Sequence, residues 1–211
     1  VRTYLMFAFD WLKGGPWDSR GIAGAHRFLE DVWKLGTAEY AQQQVSDEST
    51  AALRRKVHQA IQKVDGDMAD FKWNTAVAAM MALRNDMLGA LRSGDVSTEA
   101  WDEAVDASTR LLAPIAPHIT EEVWNHRGNT GSVHEAAWPE ADPEVARDQT
   151  VTLVIQVNGK VRDRLEVPAD ISAEDAEAAA LASERIAEWT SKGEVRKVIA
   201  RPPKLVNIVV S

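Results

Sequence analysis

The sequence contains no cysteine, which excludes disulfides, thiolate metal sites and a cysteine nucleophile together. It has no apolar run near the ~20 residues that a membrane-spanning helix needs. No signal peptide opens it, so a cytoplasmic protein without a membrane partner is expected. Tyrosine is scarce, two residues against eight tryptophans, which leaves room for exposed apolar surface. The five histidines, His26, His58, His118, His126 and His134, are scattered. None forms a His-x-x-x-His pair, and no metal centre is expected. Asp65, Asp67 and Asp70 lack the closing glutamate of a calcium loop and sit in a helical pattern.

What is present is an uneven distribution of charge. The net charge of −8 argues at first sight against a nucleic-acid partner. Residues 1–149 hold 15 Lys and Arg against 23 Asp and Glu, whereas residues 150–211 hold nine of each. Within that second stretch the acids gather between Ala173 and Glu194, and the bases in the segments on either side. A neutral total can therefore conceal a basic face, the alternative being a solvated surface of mixed charge.

The first two-thirds read as helical. Phe28, Leu29, Val32 and Trp33 recur at three- and four-residue spacing between Ile22 and Leu35. After a polar break, Ser49 or Thr50 is placed to cap a helix striped by Leu53, Val57, Ile61, Val64 and Met68. A third helix is expected from about Asn74 to Leu91, stopping near Ser93-Gly94. Ser97 caps a fourth, which Pro114 and Pro117 interrupt before a short helix through Val123 and Trp124. The spacing predicts an antiparallel bundle over residues 1–134, and residues 135–149 read as a linker.

From residue 150 the pattern changes to strand, Asn158-Gly159 turn, strand, helix, strand, strand. Asn-Gly tolerates the positive φ angles of a two-residue type I′ hairpin. Ser172 caps the helix, whose expected buried stripe is Ala176, Ala179, Ala182, Ile186 and Trp189, with Gly193 at its end. Val161, Val198, Ile199 and Ile208 are expected to be core or strand-packing residues. The fold class expected is thus mainly α: a helical bundle followed by a small α+β domain (150–211) with a four-stranded sheet and one helix. Lys160, Arg162 and Arg164 recur at period two on the second strand and are expected to project together from one face, toward a polyanion.

Four blocks carry a resemblance to a known family. GIAGAHRFLEDVWKL (Gly21–Leu35), RRKVHQAIQKVDGDMADFKWNTAVAAMMAL (Arg54–Leu83), LLAPIAPHITEEVW (Leu111–Trp124) with Ala137-Trp138-Pro139, and the C-terminal QVNGKVR and VRKVI strings span nearly the whole chain. The first three resemble the anticodon-binding-type bundle shared by the synthetases for valine, isoleucine, leucine and methionine. The last resembles the small C-terminal domain of bacterial leucyl-tRNA synthetases, a class I aminoacyl-tRNA synthetase family.

The resemblance implies a tRNA-binding part of a leucine–tRNA ligase, serving protein biosynthesis. Its partners would be leucine tRNA and the parent catalytic domain, and a monomer is expected. No HIGH-like or KMSKS-like motif is present. The chain is therefore expected to be a C-terminal piece, inactive alone and with no cofactor of its own, while ATP and Mg would serve the parent. The resemblance further implies recognition of the tRNA elbow and long variable arm rather than the anticodon. Its candidate RNA contacts are Lys160, Arg162, Arg164, Arg196, Lys197 and Lys204, with Asn158 chiefly a turn residue, and the cluster Arg54, Arg55 and Lys56 at a helix head. Lysine and arginine would act there through phosphate neutralisation. The alternatives are a protein-interaction module that docks on the parent core, and the equivalent part of a valyl or isoleucyl enzyme.

Overall fold

Phe28 and Leu35 lie two turns apart and are both buried, which fixes the inner side of helix α2 (Ile22–Thr37). Trp33 of the same expected stripe is instead exposed, with its ring 6.2 Å from that of His126. The computed structural model describes every residue except Gln149 and Lys192. It divides into two compact units, Val1–Arg147 and Asp148–Ser211.

The first unit is a helical bundle. A short α1 (Arg2–Phe7) and a 3-10 turn (Ser19–Gly21) precede α2, and α3 (Asp47–Ala69), α4 (Trp73–Ser93), α5 (Thr98–Leu112) and α6 (Pro117–His126) follow. The start of α3 lies earlier than expected: Ser46 is the cap, its Oγ accepting from Ser49 N. Gly94 ends α4 at φ 65°, the left-handed conformation that lets a backbone turn out of a helix. Gly36 is buried in α2, where a Cβ would collide with Val123 of α6, so its missing side chain sets the close approach of the two helices.

The core of this unit runs from Phe28 through Val57, Met80 and Leu83 to Trp101 and Leu112. Trp101 is fully buried and stacks on Tyr40, with ring centroids 4.7 Å apart. The Tyr40 hydroxyl donates to Val96 O at 2.9 Å.

Residues 135–147 are not a free tether. Helix α7 (Pro143–Ala146) packs on α3 and belongs to the first unit. Asp142 N–H donates to His58 Nδ1 at 2.9 Å and Gln59 Nε2 donates to Ala146 O at 2.9 Å. Arg110 Nη1 holds Ala137 O at 2.9 Å.

The second unit has strands β1 (Thr150–Val157), β2 (Lys160–Pro168), β3 (Val195–Arg201) and β4 (Leu205–Val210) in the order β2-β1-β4-β3. Only β1 and β4 run parallel. One face carries Leu153, Ile155, Val157, Val206 and Ile208, which are buried against Ala176, Ala180 and Ile186.

Those last residues belong to two helices, α8 (Ala173–Ala182) and α9 (Glu184–Thr190), where the sequence pattern suggested one. The break is at Ser183, whose ψ of 127° is extended. Its hydroxyl donates to the buried carboxylate of Asp163 on β2 at 2.5 Å, a long-range bond that anchors the break. The buried helical position after Ala176 is accordingly Ala180, and Ala182 is exposed.

Candidate nucleic-acid interface

The Asn158-Gly159 turn forms as the sequence implies, with φ of 50° and 76°. Asn158 does more than turn the chain. Its Nδ2 donates to Val210 O at 2.9 Å, its Oδ1 accepts from Val210 N at 3.0 Å, and its backbone N–H donates to Ile208 O at 2.9 Å. Its amide therefore ties the hairpin tip to the end of β4.

Beyond the turn, the three cations of β2 do not share a face. The turn pairs Lys160 with Val157, an inward position, whereas Asp163 pairs with Ile155 and Leu165 with Leu153. An even-numbered residue and then odd-numbered ones must all lie on the inner side, which one extra residue makes possible. That residue is Arg162, in a β-bulge where the register shifts. Lys160 stands exposed at the rim of the helix-covered side. Arg162 lies over the Trp189 ring on α9, 3.6 Å from its centroid, with Nε buried and without a hydrogen bond. Arg164 pairs with Val154 and projects from the other face.

The expectation that Lys160, Arg162 and Arg164 project together is thus corrected by the bulge. The signal for it was in the sequence. A two-residue turn fixes Lys160 opposite Val157, and the apolar parity of Leu165 and Val167 disagrees with that register by one.

A second bulge lies in β3. Val195 pairs with Val210 and Lys197 with Val209, so Arg196 is the extra, exposed residue. Lys197 shares the open face with Ile199 and Arg201, paired with Asn207 and Leu205. Arg201 is absent from the sequence-derived candidates, although its period-two spacing from Lys197 would have found it. Lys204 is exposed in the β3–β4 turn. Val161 and Ile199, expected as core or strand-packing residues, lie in β2 and β3 but are 46% and 37% exposed, while Val198 is half-buried and Ile208 fully buried.

Acids outnumber bases on the helix-covered side of this unit, which also carries Arg185, Arg162 and Lys160. Glu174, Asp175, Glu177, Glu184 and Glu188 lie on the helices. The open face carries Arg164, Lys197 and Arg201, none in an ion pair among the described residues, against Glu166, whose Oε1 accepts from Thr152 Oγ1 at 2.6 Å. Asp163 is the buried exception. Hydrogen bonds from Ser183 first, then from Arg164 N, lower its pKa against the opposing effect of burial, and Arg185 adds to the lowering.

In the first unit the basic cluster is not at the helix head. Asp47 and Glu48 occupy the first turn of α3, and Arg54, Arg55 and Lys56 come two turns later, beyond the reach of the dipole argument. Arg54 Nε donates to Glu103 at 2.7 Å and is already neutralised. Lys56 is exposed and Arg55 half-exposed. Trp73 opens α4 with its indole N–H buried and unpartnered, between the rings of Trp11 (6.3 Å) and Phe71 (6.1 Å). Among the described residues no cluster of His, Asp and Glu could hold a metal ion, and no helix is long and apolar enough to cross a membrane.

The profile of the anticodon-binding domain of tRNA ligases matches residues 51–178, from α3 into α8. Leucine–tRNA ligase from Dehalococcoides mccartyi strain 195 is 43% identical over 210 residues, covering 100% of this chain and 26% of its own length. The Deinococcus radiodurans enzyme is 39% identical over 209 residues, 99% of this chain and 25% of its own. In the crystal structure of the Agrobacterium radiobacter K84 agnB2 LeuRS–tRNA–LeuAMS ternary complex, a LeuRS chain 26% identical to this one matches all of it with a TM-score of 0.82, over 28% of its length. The chain spans about a quarter of the length of the curated relatives it matches. It belongs to the family of the anticodon-binding domain of tRNA ligases, and its relatives are bacterial leucine–tRNA ligases.

Proposed function

We propose that these residues form the tRNA-holding part of a leucine–tRNA ligase, which binds leucine tRNA and positions it for ATP-dependent aminoacylation elsewhere in that enzyme. The observation that carries this reading is the match of the entire chain, at TM-score 0.82, to part of a LeuRS in a complex with tRNA. ATP and Mg would act in the catalytic part, since no HIGH-like or KMSKS-like motif occurs in these residues. The reading places the protein in the cytoplasm, as a monomer.

The physical logic is that tRNA contacts remote from the reacting 3′ end orient the acceptor and convert binding energy into rate. The unpaired cations of the second unit suit that task, because they meet phosphates without reading sequence. Binding of the chain to leucine tRNA, with valine tRNA (short variable arm) as control, tests the proposal across a salt series. Preference for leucine tRNA that weakens as salt rises supports it. Equal binding to both, or none, overturns it.

A second reading is supported by the apolar surface of the first unit. Trp11, Leu12, Trp17 and Phe71 are 48%, 82%, 59% and 58% exposed, an arrangement suited to docking on another part of the same ligase. Such docking would persist in high salt, where phosphate contacts fail.

A further inference from the structure

Of the six asparagines in the chain, only Asn158 is followed by glycine. A backbone nitrogen that follows an asparagine can attack the side-chain carbonyl carbon, and glycine, without a Cβ, leaves that nucleophile unhindered. Both residues are exposed at the tip of the β1–β2 hairpin, so this turn is the place in the chain most open to spontaneous deamidation.

The surrounding hydrogen bonds oppose that reaction by holding both reacting groups. The Asn158 carboxamide donates from Nδ2 to Val210 O at 2.9 Å and accepts on Oδ1 from Val210 N at 3.0 Å. The attacking group is held as well, since Gly159 N–H donates to Asn207 Oδ1 at 3.1 Å. A Cβ built on Gly159 meets no described atom within 4 Å, so the protection lies in these bonds and not in steric cover. Every one of the partners belongs to β4. The two groups are therefore released together when the hairpin tip parts from that strand.

We propose that Asn158 is a deamidation site guarded by Asn207 and Val210, and that its modification follows local opening of the turn from β4. In the open turn the Gly159 nitrogen bonds to the Asn158 Cγ, and the Cγ–Nδ2 bond breaks. The proton from Gly159 leaves with Nδ2 as ammonia, and a cyclic imide remains. Water, the only co-reactant, then opens the imide at one carbonyl to give aspartate or at the other to give isoaspartate.

Either product undoes the tie between hairpin and strand. An aspartate carboxylate has no hydrogen to donate to Val210 O. Isoaspartate also adds a methylene to the backbone of a two-residue turn, which displaces Lys160 from its place opposite Val157 and disturbs the register of β2. The inference is independent of tRNA binding, because it rests on the turn and β4 alone.

Where opening is rapid and rare, the observed rate is that of an unstructured peptide multiplied by the open fraction. The test follows conversion of Asn158 by peptide mass spectrometry in the full 211-residue chain at mildly alkaline pH. A synthetic peptide spanning residues 155–162 is the unstructured reference. The peptide is expected to react at least tenfold faster than the chain, a local opening free energy of at least about 1.4 kcal/mol. Asn207→Ala frees Gly159 N–H and should accelerate conversion in the chain several-fold, with faster amide exchange at Gly159 and unchanged global melting. Asn207→Asp keeps an acceptor and should stay as slow as the unsubstituted chain.

Equal rates in the peptide and the unsubstituted chain overturn the guarding, and that comparison stands even if Asn207→Ala fails to fold. Equal rates in Asn207→Ala and Asn207→Asp overturn the part given to Asn207. Faster conversion of any other asparagine in the chain overturns the assignment of the site.

Discussion

The Arg162 guanidinium carbon lies over the indole of Trp189, 3.6 Å from the ring centroid, and so joins the bulge of β2 to helix α9. A cation over a tryptophan face contributes about 1 kcal/mol, more where water is excluded. Arg162→Ala is therefore expected to destabilise the second unit by about 1–2 kcal/mol, including lost packing of the side-chain stem. The salt slope of tRNA binding should not change. Arg162→Lys should recover only part of the stability, because an ammonium cannot stack as a plane. Denaturant unfolding and the salt titration read the two effects separately.

Asp163 predicts a pH dependence with a definite sign. Its carboxylate is held below the ordinary value chiefly by the Ser183 hydroxyl, then by Arg164 N–H. A depressed carboxyl stabilises the fold at pH above its unfolded value of about 3.9, and that contribution is lost as pH falls through the lower folded value. Asp163→Asn should lower the melting temperature of the second unit at pH 7 by on the order of 5 °C. The gap to the unsubstituted chain should narrow below about pH 4. A gap that stays constant from neutral to acid pH would contradict this account.

Much of the architecture is legible in the sequence. The Ser97 cap, the Gly94 stop, Pro117 at the first turn of α6, the Asn158-Gly159 turn and the Ser172 cap are local signals whose physics needs no tertiary context. What the sequence pattern misplaced depends on long-range pairing. Ser183 breaks a helix because Asp163, twenty residues earlier, takes its hydroxyl. Val161 and Ile199 look like core residues because β-branched alternation cannot say which sheet face a helix covers. The pairing of Arg54 with Glu103, on another helix, is equally invisible in the local pattern. The bulge at Arg162 follows from parity, but only when the turn and both strands are considered together.

Asn158 should prove structural in a way that one pair of substitutions resolves. Asn158→Gly keeps the left-handed backbone but removes the amide that bonds both backbone groups of Val210. Asn158→Ala removes the amide and also strains φ. Each lost hydrogen bond is worth about 1 kcal/mol and the left-handed strain about as much again. Asn158→Ala should thus destabilise the second unit more than Asn158→Gly. Hydrogen exchange at the end of β4 should accelerate in both, because that strand end loses its partner.

His58 sets how residues 141–147 are held on the bundle. Its Nδ1 accepts the Asp142 N–H, so the ring hydrogen resides on Nε2 and is donated to Glu103 at 3.0 Å. Burial alone would raise the Glu103 carboxyl, but hydrogen bonds from Arg54 and His58 together with the Arg54 charge bring it below the ordinary range. His58→Leu fills similar space but removes the acceptor of the Asp142 N–H and a donor to Glu103, both part-buried bonds, at a cost of about 1 kcal/mol each. Limited proteolysis should then cut between Ala141 and Arg147 faster than in the unsubstituted chain, while the α2–α5 core remains resistant. His58→Asn would test the mechanism further, since its side-chain oxygen can accept from Asp142 only if the backbone shifts. Cleavage at the rate of the unsubstituted chain in His58→Leu would show that α7 is held by packing alone and that the histidine bond is incidental.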